Sequence, residues 1–143
     1  MVKQMKFEAK PYDYRYKRSR CKKYKYACIL LGMIFFLAGL NGFFEFQRVG
    51  FSPRGEFFLG YLKANAWLWP MINFIQVVAG LFLILRSYVA LALFMLAPII
   101  TNIVAFHIAL DPTGLPVAAG VLALYLYIGH YFRPFIVRLL KRC

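Results

Sequence analysis

Four long stretches of the chain carry no charged residue: 27–44, 64–85, 87–110 and 115–132. None of them alternates apolar and polar positions with the period of two that a half-buried strand or a barrel wall requires. A helix rises about 1.5 Å per residue, so roughly 20 apolar residues cross the hydrocarbon core of a bilayer. Each stretch has that length. The pattern predicts an all-α, integral membrane four-helix bundle. In water, four helices apolar on every side would have no face to turn to solvent. Arg86 alone separates the second stretch from the third, and Asp111 to Gly114 separate the third from the fourth. Joints this short make those spans antiparallel neighbours.

The first connection is longer: "EFQRVGFSPRGEFFLGYLKANAW", residues 45–67. Its centre, Phe57–Leu62, is apolar between Glu56 and Lys63, which suits a segment lying in the membrane interface near 53–63. Trp67, Trp69 and Pro70 then mark the entrance of the second span, where tryptophan serves mainly as an anchor at headgroup level.

Composition agrees: 62% of the 143 residues are hydrophobic and 16% charged, against about 45–50% and about 25% in soluble domains. The net charge of +13 would suggest nucleic acid if it were spread over a folded face, but it sits at the two ends. Residues 1–25 hold ten Lys and Arg against Glu8 and Asp13, and the tail from Arg133 holds four more and no acid. The chain divides into a basic arm (1–26), a four-span body (27–132) and a basic tail (133–143). Tyrosines interleave with cations in "KPYDYRYKRSRCKKYKY", a composition suited to an anionic membrane surface beside the first span. Nucleic acid is therefore not an expected partner; membrane lipids are. Lys and Arg near span ends favour the cytoplasmic side, which with four spans places both termini in the cytoplasm and the protein in the inner (cytoplasmic) membrane. Cys21, Cys28 and Cys143 show no framework or metal-ligand spacing, and a single histidine within the spans gives no metal site. No nucleophile or phosphate-loop motif marks an enzyme.

What remains is a small set of polar residues inside the spans. Measured by helical rise, Asn41, Asn73, Asn102 and His107 fall toward the end of the bundle away from the basic arm, with Gln76 near the midplane. Polar groups in hydrocarbon need partners, so they are expected to face the interior. Asn73, Gln76 and Gly80 share one helical face, and a glycine there lets a neighbour approach closely. Asn102 and His107 lie about 140° apart and do not share one. Two readings stay open. The amides can pin helix to helix, or Asn41, Asn73, Gln76, Asn102 and His107 can line an outward-facing pocket for a quinone, lipid or other small amphipathic ligand. Glu45 and Asp111 are the candidate proton or polar partners of His107. In the last span, Ala119, Gly120 and Gly129 offer a surface for a homodimer or larger membrane complex. Transport, and a scaffold role for the basic arm, are the alternatives to ligand binding.

Three segments carry a resemblance: "FFLAGLNGFFEF" (35–46), "FIQVVAGLFLILRSYVALAL" (74–93) and "APIITNIVAFHIALDPTGLP" (97–116). Together they resemble the DoxX-like family of small four-helix membrane proteins. The resemblance implies a role next to quinone-coupled thiosulfate oxidation or oxidant-related membrane complexes, and a shared pocket at Asn41, Gln76, Asn102, His107 and Asp111. The family usually has a glutamate where Gln76 stands, so this chain lacks that intramembrane acid.

Overall fold

The computed structural model describes residues 20–47 and 50–140, with side chains described for 22–47 and 50–132. Most of the basic arm, Arg48, Val49 and the last three residues lie outside the described residues. Five α-helices follow in order: α1 Arg20–Phe44, α2 Pro53–Ala64, α3 Leu68–Leu85, α4 Val89–Ala109 and α5 Leu115–Leu140, with one 3₁₀ turn, Pro112–Gly114, ahead of α5. Four of them, over Lys22–Phe44, Leu68–Leu85, Val89–Ala109 and Pro112–Phe132, are long and apolar enough to cross a membrane. Helix α1 starts earlier than its apolar stretch, because Lys and Tyr are compatible with helix and nothing between Arg20 and Ala27 breaks it. Helix α5 continues past Arg133-Pro134, where the sequence suggests a stop.

Small residues set the tightest contact, between α1 and α3. A Cβ on Gly80 would lie 2.6 Å from the backbone nitrogen of Phe36 and 2.8 Å from the Gly32 oxygen. On Gly39 it would lie 2.7 Å from the Asn73 oxygen. The pairings 32 with 80 and 39 with 73 describe an antiparallel seam in which backbone rests on backbone. Lipid tails are as apolar as leucine, so helices in a bilayer are held together by van der Waals packing, and that requires close approach.

The core behind this seam is Cys28, Leu31 and Phe35 of α1, Ala79 and Leu83 of α3, Ala92, Leu96 and Ile100 of α4, and Val121 and Ile128 of α5. At one end Tyr24 stacks on Tyr131 with ring centroids 4.4 Å apart, joining the start of α1 to α5. The outer faces are apolar too: Leu30, Leu37, Phe74, Leu81, Phe94, Val117 and Leu126 are all exposed. Such a surface is stable only in lipid. Arg86 and Tyr88, both with left-handed φ (55° and 54°), make the tight turn from α3 to α4. It lies at the end of the bundle opposite Asp111, because α4 runs the whole distance between them. Cysteines introduced at Ser87 and Thr113 should accordingly react with a membrane-impermeant thiol reagent from opposite sides of sealed vesicles. Labelling of both from one side would contradict the four-span arrangement.

Candidate functional site

Helix α2 does not cross the bundle; it lies over one end as a strap, held by a polar node at each of its ends. Ser52-Pro53 starts it in the usual way, with a hydroxyl cap and a proline in the first turn. The Ser52 hydroxyl accepts from the Gly55 amide at 3.3 Å and donates to the Leu110 carbonyl at 2.6 Å. The Ser52 amide donates to Oδ1 of Asp111 at 3.4 Å, and the Thr113 hydroxyl donates to the same oxygen at 2.7 Å. Asp111 is 2% exposed; its carboxylate is tolerable there because these donors meet it.

His107 closes the node. Its Nδ1 lies 3.0 Å from the Asp111 carbonyl oxygen and 3.6 Å from the Asp111 carboxylate. A carbonyl only accepts, so Nδ1 carries the hydrogen and donates. The ring is packed against Gly114, where a Cβ would overlap its Cε1 and Nδ1. Phe106 sits edge-on to Phe51 at 5.7 Å and tilted to Phe58 at 5.8 Å, which seats α2 on the end of α4.

The second node holds the other end of the strap. Lys63 pairs with Glu45 at 2.7 Å and lies 5.5 Å from the centre of the Trp69 ring, while Trp69 Nε1 donates to the Gly42 carbonyl at 3.0 Å. This ties the end of α1, the end of α2 and the start of α3 together.

The sequence-expected site residues divide among separate places. Asn41 caps the end of α1: its amide donates to the Gln47 carbonyl at 2.9 Å and accepts from the Gln47 amide nitrogen at 2.7 Å. Asn73 is buried in the α1–α3 seam with its amide against Gly42, and its Nδ2 has no hydrogen-bond partner. Gln76 is half-buried on the same face. Asn102 is exposed on the outer surface of α4, while His107, 140° further round, turns inward. His107 and Asp111 therefore meet; Glu45 belongs to the Lys63 node; the three asparagines and Gln76 do not gather around a common space. Ala119 and Gly120 are exposed on α5, and a Cβ on Gly120 or Gly129 would meet nothing within 4 Å.

The concave surface lies elsewhere. A groove of about 620 Å³ is lined by Pro53, Arg54, Phe57, Phe58, Tyr61 and Leu110, a size within the range of small-molecule sites, about 300–1,000 Å³. It is a shallow groove that runs along α2 beside Leu110, whose carbonyl is the one held by Ser52, and it is open over most of its surface. The segment near 53–63 stands out in the sequence and forms α2; the groove, Ser52 and Thr113 do not stand out there. The Ser-Pro start of α2 was the available signal for Ser52.

Among the described residues these features define an all-helical, multi-pass membrane protein with a short helix strapped over one end of the bundle. No family model, curated protein or solved structure matches the chain.

Proposed function

We propose that the protein is a membrane-embedded binding module that holds a small amphipathic molecule, a lipid or a quinone, in the groove along α2. The observation that carries this reading is an apolar, aromatic-lined groove fixed next to the hydrogen-bonded Asp111 node. Phenyl and phenol faces suit an acyl or isoprenoid tail, and the open side admits a ligand laterally from the bilayer. The resemblance to DoxX-like proteins favours a redox-linked accessory subunit, with quinone as the corresponding cofactor. We place the protein in the cytoplasmic membrane, and the Lys and Arg distribution favours an orientation with the basic arm, the Arg86 turn and the tail in the cytoplasm and α2 on the far side.

Phe57 and Tyr61 are 69% and 64% exposed, so truncating them leaves the bundle core intact. In native mass spectrometry from mild detergent, Tyr61→Ala should lower retention of an added phospholipid or short-tailed quinone by roughly tenfold, the effect of removing one ring from an apolar contact. Asn102→Ala, on the outer face of α4, should leave retention unchanged. Equal retention by the wild type and Tyr61→Ala would remove the groove as the site; a loss confined to Asn102→Ala would place the site on the outer face of α4 instead.

A further inference from the structure

We infer that the groove takes an anionic phospholipid, whose phosphate is bound by Arg54 and one of whose acyl chains lies along Phe57, Phe58, Tyr61 and Leu110. The inference rests on the groove reading above and adds the chemistry of the head. Arg54 lines the groove in the first turn of α2. Helix N-termini carry partial positive charge, so a cation there opposes the helix dipole and does not stabilise the helix. The helix terminus itself is already met by the Ser52 hydroxyl, Asp111 and the first-turn Glu56, so the guanidinium of Arg54 is the group that offers an external anion a charge-assisted partner.

The acids at the two ends of α2 leave it available. Glu45 is paired with Lys63, and Asp111 is buried and already accepts from Ser52 and Thr113. Glu56 is two residues further on, about 200° around the helix, and does not line the groove. Among the described residues Arg54 makes no ion pair or side-chain hydrogen bond. The groove thus has a cationic end at Pro53-Arg54 and an apolar length toward Tyr61, the polarity of a phospholipid lying with its head at the start of α2.

The test uses full-length protein with phosphatidylglycerol and phosphatidylcholine of identical chains, compared by native mass spectrometry. The basic arm attracts anionic lipid in every variant, so its effect cancels in the comparison. Arg54→Gln should reduce the ratio of phosphatidylglycerol to phosphatidylcholine retained by roughly fivefold, and Arg54→Lys should keep most of it. Tyr61→Ala should lower both lipids together with the ratio intact. A ratio unchanged by Arg54→Gln overturns the head-group assignment. Undiminished retention of both lipids in Tyr61→Ala overturns the groove reading instead.

Discussion

Gly80→Val should separate α1 from α3 and lower the stability of the bundle by about 3 kcal/mol, the upper part of the usual range for overpacking. The reason is the identity of the atoms in the way. A side chain at position 80 meets the backbone of Phe36 and Gly32 at 2.6–2.9 Å. A flexible side-chain neighbour can rotate away; a helix backbone can only move as a whole. Gly120→Ala is the matched control, since that Cβ enters open space on α5 and alanine is the better helix former. Denaturation in mixed micelles followed by tryptophan emission is a direct readout, because Trp69 donates to Gly42 across the same seam. Wild-type stability in Gly80→Val would mean that the two helices lie further apart than the structure places them.

Asp111→Ala should cost about 2 kcal/mol, with the effect concentrated at the α2 end. The substitution strands the half-buried Ser52 amide, and a donor left unmet away from water loses the benefit of hydration; the hydroxyl of the exposed Thr113 can turn to solvent. Asp111→Asn keeps an acceptor oxygen at the same point and should cost less. Ser52→Ala, which removes the cap of α2 and the bond to Leu110, should cost about 1 kcal/mol. The two losses should not add, because both act through the same node. Hydrogen exchange gives the decisive pattern: amides of α2 should exchange faster in Asp111→Ala while those in the middle of α1 and α3 stay protected. Uniform acceleration across all helices would make Asp111 a determinant of global stability and not the anchor of the strap.

The two nodes also explain why α2 is a better place for a ligand than the polar residues within the spans. Asn41 is fully engaged with Gln47, and the Asn73 amide occupies the space that Gly42 leaves free. These amides are used in packing and capping. The apolar side chains of α2, by contrast, are fixed at both ends of the helix and left open along its length.

Much of the architecture was legible in the sequence alone. Span number, approximate limits and antiparallel order follow from run length and short joints, because the bilayer imposes a local requirement: every stretch of about 20 residues must be apolar and satisfy its own backbone hydrogen bonds. The shared face of Asn73, Gln76 and Gly80 followed from helical periodicity for the same reason. Partner choice followed only where it is local, as for His107 and Asp111 four residues apart on one helical face; between elements it did not. Asp111 meets Ser52 across 59 residues, Trp69 meets Gly42 across 27, and Asn102 faces outward although it is as polar as the buried Asn73. Depth along a helix is set by sequence position, but the direction a side chain faces depends on which neighbour occupies that side. Only the packing of α1 on α3, and of α2 over the end of α4, decided which polar groups would meet and where the groove would lie.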